Sequence, residues 1–372
     1  MTDPRVERLA QLLVDYSLEL GEGQVVRLDG GAAAQPLLLA LFRAAIVRGA
    51  HPYLEVQLDG LDEVLLEEGT DEQIAYVSPI ARTEVELLDA QVSVWGQENT
   101  RSLTATDPRR QSVLLGARRA LSRRRWDRIA TGEMRWCGVL FPTHAHAQDA
   151  EMSLADYERF VFHACHVDES AEAAVAHWRS TAEALTARAR ELGRSRELRI
   201  LGPDTDLRVG VAGRTWIAAD GHYNMPDGEV FTSPLEHETE GEIRYRFPAI
   251  FEGREVEDVR LRFAEGRVVH AEASTGADSL ASLLEIEGAR VLGEVAFGLN
   301  YEIDRFTRNI LFDEKIGGTM HLALGSAFPQ AGGENVSGLH WDMICDLRDE
   351  GEVYADGVLV WRAGRFLHEP VP

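Results

Sequence analysis

Gln24-Val-Val-Arg-Leu28, Gly30-Gly31, an apolar run from Gln35 to Arg48, Gly49-Ala-His-Pro52 and Tyr53-Leu-Glu-Val-Gln-Leu58 follow one another in this order. The first and last segments read as short strands, the apolar run as a helix, and the glycines as joints. Strand, helix and strand with joints this short predict two parallel strands with a crossover helix. Val92-Ser-Val-Trp95 adds a further strand. Upstream, Val6, Leu9, Leu12, Leu13 and Tyr16 recur at helical spacing over Arg5 to Leu20, before Gly21-Glu-Gly23 breaks the pattern. Downstream, Ser153 to Glu191 is helical in pattern, with Ser153 as its N-cap. The Gly30-Gly31 turn belongs to neither GxGxxG nor GxxxxGK[ST], so nucleotide binding is not expected.

The pattern then changes. From Glu197 to Phe366 the chain is rich in Val, Ile, Arg, Thr and Gly with period-two alternation, as in Leu198-Arg-Ile-Leu201, Leu207-Arg-Val-Gly-Val211 and Arg260-Leu-Arg-Phe263. That is the signature of antiparallel sheet. At 372 residues the chain exceeds the size at which single cores stop growing. The expected architecture is an α/β domain with a parallel sheet over 1–195, followed by a β-rich α+β domain over 196–372.

A net charge of −24 argues against nucleic acid or an anionic membrane as partner. A solvated acidic surface explains it most simply, although it would also attract a cationic peptide N-terminus. Cys137, Cys165 and Cys345 form no CxxC and cannot all pair, which suits buried thiols in a reducing compartment. The start, Met1-Thr-Asp-Pro-Arg-Val-Glu-Arg8, has no apolar leader core, and no apolar run approaches the ~20 residues of a membrane span. A cytoplasmic location is expected. Arg123-Arg-Arg125 before Trp126 reads as an exposed helix face paired with acids rather than as an RNA contact.

All but one of the 38 basic residues are arginine, and the single lysine is Lys315. Base composition of the gene accounts for the arginine excess but not for that position. Arginine replaces lysine poorly where a compact ammonium is needed, so Lys315 is a candidate functional residue.

Lys315 lies among unusual neighbours. Within about fifty residues come Gly293-Glu294, Asp313-Glu314-Lys315, His321-Leu-Ala-Leu-Gly325 and His340-Trp-Asp342; Asn224-Met-Pro-Asp-Gly-Glu229-Val-Phe-Thr232 lies upstream. In an extended segment His340 and Asp342 share a face, about 7 Å apart along the strand, with Trp341 behind. Gly317-Gly318 permits close backbone approach before His321. Glu294 sits in the apolar Val291-Leu-Gly-Glu-Val-Ala296, where a carboxylate is costly unless paired or bound to metal. Each feature alone has a structural explanation. Three glutamates, an aspartate and two histidines in one sheet-rich half exceed what one ion needs and suit two sharing a carboxylate. Imidazole and carboxylate oxygen favour Zn²⁺, Co²⁺ or Mn²⁺. The reading is a two-metal hydrolase.

These segments resemble the thermophilic aminopeptidase family of metallopeptidases, which includes aminopeptidases S and T. The matching words are Asn224 to Thr232, Gly293-Glu-Val295, Asn309-Ile-Leu-Phe-Asp-Glu-Lys-Ile-Gly-Gly-Thr319, His321 to Gly325 and His340-Trp-Asp342. Trp136-Cys-Gly-Val-Leu-Phe-Pro-Thr143 and Ala147-Gln-Asp-Ala-Glu-Met-Ser153 extend the likeness upstream. The resemblance implies metal ligands at Glu229, Glu294, Glu314, His321, His340 and Asp342. It also implies a homodimer whose α/β domains help enclose the active site. Two departures stand out. Phe328 occupies a position where the family often has a tyrosine that supports the tetrahedral intermediate, so either Lys315, or Tyr301 if it folds inward, supplies a donor, or turnover is reduced. His144-Ala-His146 is not expected in the family and reads as a partly exposed loop rather than an extra metal site.

The expected activity is a metalloaminopeptidase removing N-terminal residues from short peptides, with Glu229 or Glu294 as general base and Lys315 contributing to catalysis. A mononuclear iron ring-cleaving dioxygenase, which needs only His321, His340 and Asp342, is the alternative. A weakly active peptide-binding relative is the third reading, motivated by Phe328.

Overall fold

A computed structural model of the chain describes residues 3–251 and 253–369; the ends of the two expected domains, 1–2 and 370–372, lie outside the described residues. The chain divides into two compact units, one of 1–178 with 221–226 and the other of 179–220 with 227–372. The division therefore precedes the compositional change near 190–200, because the helix Ala171–Leu192 runs across it.

The first unit holds a five-stranded parallel sheet in the order His51–Gln57, Val25–Gly31, Ala90–Trp95, Arg135–Leu140, Asn224–Met225. The last strand is two residues long, too short for any periodicity to reveal, and it brings 221–226 back to this unit. The crossover helix Gln35–Val47 carries Pro36 in its first turn, where a missing N–H costs nothing. It buries Leu37, Leu38 and Leu41 in one core with Leu9, Leu12, Val26, Leu28 and Val92. The opening helix is regular only over Pro4–Leu12 and continues as a π-helical turn over Leu13–Ser17. The pattern from Ser153 is two helices, Leu154–Ala164 and Ala171–Leu192, and Ser153 does cap the first of them. The arginine-rich segment belongs to the long helix Pro108–Ala130. There Arg124 pairs with Glu86 at 2.6 Å and Arg128 donates to the carbonyls of Val85 and Leu88. All three cysteines are buried thiols.

The second unit is antiparallel. An eight-stranded sheet runs in the order Arg267–Glu272, Val259–Ala264, Thr239–Tyr245, Thr205–Gly210, Glu197–Gly202, Glu352–Ala355, Val358–Arg362, Arg365–Phe366. A five-stranded sheet runs His340–Asp346, Thr319–Gly325, Leu292–Gly298, Glu229–Thr232, Ile217–Ala219. One hydrophobic cluster joins them: Leu198, Ile200, Leu207 and Leu261 from the larger sheet, with Val295, Phe297, Leu322, Leu324, Trp341 and Met343 from the smaller. Each such buried side chain contributes roughly 1.5–3 kcal/mol. Alternation along the strands commits the residues between them to the opposite face of the smaller sheet.

Candidate metal centre

Cross-strand register determines what that opposite face carries. His340 opposes Gly325, Asp342 opposes Ala323, and Glu294 opposes Ala323 from the other side. His321 opposes Ala296, which opposes Phe231; Glu229 opposes both Gly298 and Ala219. The face thus bears His340, Asp342, His321, Glu294 and Glu229, separated by Ala296, Gly298, Ala323, Gly325 and Ala219. The residues between the polar ones are the smallest available, which leaves room above the sheet.

Glu294 reaches this face through an irregularity. Leu292 pairs with Leu324 but Glu294 pairs with Ala323, so a bulge at Gly293 shifts the phase by one residue. Leu292 stays in the core while Glu294, two residues on, points away from it. A Cβ on residue 293 would lie 2.2 Å from the Ser326 carbonyl oxygen, so only glycine fits. Glu314 arrives from the C-cap of the short helix Ile310–Asp313.

The six candidate ligands converge. His340 Nε2 lies 3.2 Å from Glu294 Oε2 and 3.5 Å from Asp342 Oδ1. His321 Nε2 lies 3.6 Å from Glu294 Oε1 and 3.6 Å from Glu229 Oε2. Ligand atoms of Glu294, His340 and Asp342 fall within 4.8 Å of one another, as do those of Glu314, His321 and Asp342, so Asp342 is common to both groups. Donor atoms about 2.1 Å from a zinc ion at tetrahedral angles are about 3.4 Å apart. The observed spacings of 3.2–3.6 Å match that separation.

Both imidazoles are oriented for ligation. His321 Nδ1–H donates to the Glu314 carbonyl and His340 Nδ1–H to the Ser326 carbonyl, each at 2.9 Å, which leaves Nε2 facing the carboxylates. Glu229 Oε2 and Asp342 Oδ1 are buried with no hydrogen-bond partner among the described residues. Buried carboxylate oxygens are costly in that state, and a divalent cation satisfies them. The donor set therefore fits a metal.

Lys315 is wholly buried beside three carboxylates. Its ammonium pairs with Glu314 and lies 3.8 Å from Asp227 and 3.9 Å from Glu229. Burial opposes its charge, but Glu229, Glu314 and Asp227 hold its pKa above the ordinary lysine value. Burial pushes Glu229 well above the carboxylate range, with Lys315 opposing. For Glu294 burial acts in the same direction, but hydrogen bonds from His321 and His340 outweigh it and leave the group below its usual value. Burial likewise opposes ionisation of Asp342, yet His340 brings it down to about 2. His321 and His340 are driven up to about 10 and about 12, their carboxylate neighbours outweighing burial. A cluster of five carboxylates, one ammonium and two imidazoles lacks positive charge, which is why the imidazoles are driven toward their protonated forms and why a divalent cation suits the site.

Asp227 was not singled out from sequence, although it stands inside the Asn224–Thr232 word. Its buried carboxylate accepts from the Gly228 N–H, and its own carbonyl accepts from Asn300. Asp313 caps a loop instead of entering the cluster: it accepts from the Thr307 N–H and hydroxyl at 2.7 and 2.8 Å, and burial raises its pKa to about 7. Tyr301 does not fold inward; its hydroxyl donates to the Gly364 carbonyl and Arg365 covers its ring. Its chain neighbourhood leaves no space at Gly317, where a Cβ would lie 2.5 Å from Tyr301. His144 and His146 form no partly exposed loop. Thr143 caps a short helix, His144–Asp149, and His146 is buried with Nδ1 2.8 Å from the Thr143 hydroxyl.

Comparison with known proteins identifies the family. A family model described as thermophilic metalloprotease (M29) matches residues 2–366. Aminopeptidase 2 of Geobacillus stearothermophilus is 26% identical over 355 residues, covering 88% of this chain and 84% of the relative. The structure of wild-type AmpT from Thermus thermophilus superposes with a TM-score of 0.85 at 26% identity, covering 98% of this chain and 99% of that one. A 2,5-dihydroxypyridine dioxygenase from Pseudomonas putida KT2440 has a TM-score of 0.60 at 14% identity, covering 97% and 96%, and shares the fold. With a match along nearly its whole length, the chain belongs to the thermophilic metalloprotease family M29 and is a metal-dependent peptidase.

Proposed function

We propose that this peptidase is an aminopeptidase that removes N-terminal residues from short peptides. In this reading Glu229, Glu294, Glu314, His321, His340 and Asp342 hold two divalent ions, Zn²⁺, Co²⁺ or Mn²⁺. The observation that carries it is the pair of three-residue groups sharing Asp342. When bound, such ions lower the pKa of water and polarise a carbonyl. Relatives named as aminopeptidases support the choice of a free N-terminus.

The residues divide the remaining work. Glu229 or Glu294 accepts the proton of the attacking water. Both face His321 Nε2 at 3.6 Å, and Glu294 also faces His340 at 3.2 Å, so either carboxylate is within reach of a water held at the cluster. Lys315 orients Glu229 and Glu314 from beneath. Enclosed by three carboxylates, it does not replace the hydroxyl absent at Phe328. The carboxylate-rich surroundings attract the ammonium of an unblocked peptide. A single iron held by His321, His340 and Asp342 would leave Glu229, Glu294 and Glu314 without a purpose, which weighs against the dioxygenase reading. A homodimeric cytoplasmic enzyme completes the proposal. No helix among the described residues is long and apolar enough to cross a membrane, and sedimentation of the purified protein tests the dimer.

Hydrolysis of paired peptides, unblocked and N-acetylated, tests the activity. Cleavage of the unblocked member alone, abolished by chelation and restored by Zn²⁺, Co²⁺ or Mn²⁺, is the expected result. Equal cleavage of both members would overturn the proposal.

A further inference from the structure

The ligand face carries apolar residues on both sides, but Ile344, opposite His321, is buried, whereas those beyond Glu229 are not. Phe231, two residues along the strand from Glu229, faces the same way and opposes Ile217 on the neighbouring strand. Phe328 packs on Phe231, ring centroids 5.1 Å apart, and stands edge-on to His340, again at 5.1 Å. All three apolar side chains are half-buried and so present surface to a ligand. The loop holding Phe328 is firmly set: its N–H donates to the Ser233 hydroxyl at 2.9 Å, and its carbonyl accepts from the N–H groups of Ala331 and Gly333. Toward Glu314, by contrast, the cluster is bounded by Lys315 and Asp227, polar and buried, with the ammonium 3.8 Å from the Asp227 carboxylate.

We infer that Ile217, Phe231 and Phe328 form the subsite for the side chain of the N-terminal residue, and that the enzyme prefers large apolar residues there. This rests on the aminopeptidase reading. A residue whose amine and carbonyl sit at the ligand cluster has its side chain within about 7 Å of it, the distance spanned by two strand residues. At that distance the half-buried aromatic wall gains from burying hydrocarbon, whereas Ile344 on the far strand is already buried. An N-terminal Asp or Glu would instead face the carboxylates, and like charges repel. Phe328 thus determines specificity at a position that lacks a hydroxyl.

The test uses metal-loaded full-length protein and the dipeptides Phe-Ala, Leu-Ala, Ala-Ala, Gly-Ala and Glu-Ala. Filling an apolar pocket is worth ten- to two-hundredfold per methylene at most, so kcat/KM for Phe-Ala and Leu-Ala should exceed that for Ala-Ala at least tenfold, with Glu-Ala slowest. In Phe231→Ala and Phe328→Ala the ratio of Phe-Ala to Ala-Ala should fall tenfold or more, and Phe328→Tyr should keep it. Calorimetry on the unmodified protein needs no variant to fold: L-phenylalanine, a reaction product, should bind at least tenfold tighter than glycine. Equal binding of the two amino acids, or an unchanged ratio in both alanine variants, overturns the inference while leaving the aminopeptidase reading intact. Equal cleavage of free and N-acetylated dipeptides overturns both.

Discussion

Glu294 and His340 meet at 3.2 Å although the strand Thr319–Gly325 lies between theirs in the sheet. Two strand spacings amount to about 9.6 Å between backbones, so the side chains lean toward each other over the residues between. Those residues are Ala323 and Gly325. The contact exists because the floor beneath it is nearly bare.

Filling the floor should therefore empty the centre. Ala323→Leu places an isobutyl group between Glu294 and Asp342, and overpacking of this kind costs about 1–3 kcal/mol in stability. The expected result is a folded protein whose affinity for added Zn²⁺ is at least tenfold weaker, measured by titration against a competing chelator. Unaltered affinity would show that the ions are held elsewhere.

Lys315 sits at 0% exposure between carboxylates, where a planar guanidinium fork does not reproduce the contacts of a compact ammonium. Lys315→Arg and Lys315→Met should each lower kcat by about a hundredfold, the cost of displacing Glu229 and Glu314 from the positions the ammonium holds. Metal content should stay that of the unmodified protein, since all six proposed ligands remain in both variants. Near-normal turnover in the arginine variant would reduce Lys315 to a charge balance.

Away from the centre, Asp346 accepts from the Arg348 side chain at 2.7 and 2.8 Å and from its N–H at 3.1 Å. Burial raises its pKa, but Arg348 more than compensates and holds it below the ordinary value. A depressed carboxylate pKa contributes stability that is complete above the unfolded value near 3.9 and lost as pH falls through the folded one. Asp346→Asn should cost about 1–2 kcal/mol near pH 7 in chelator-treated protein. Urea denaturation at a series of pH values should show the gap to the unmodified protein narrowing below about pH 4; a constant gap would contradict the linkage.

Much of this was legible because period two is a strong signal. His340 and Asp342 had to share a face, and the strand–helix–strand run near Gln24 could form little but parallel sheet. What escaped was whatever depends on a local break in the pattern. The phase of Glu294 turns on a bulge that Gly293 permits but does not announce. The π-turn after Leu12 and the Thr143 cap that makes His144–Asp149 helical are likewise decided by hydrogen bonds rather than by apolar spacing. Asp227 becomes notable only once Lys315, 88 residues further along the chain, is placed beside it.

The number of ions bound per chain bears most directly on the dinuclear reading. Protein purified gently, saturated with Zn²⁺ and freed of excess by gel filtration should contain two ions per chain by plasma mass spectrometry, with Asp342→Ala reducing both. A plateau at one ion per chain, or at none, would contradict a centre in which Asp342 serves two ions.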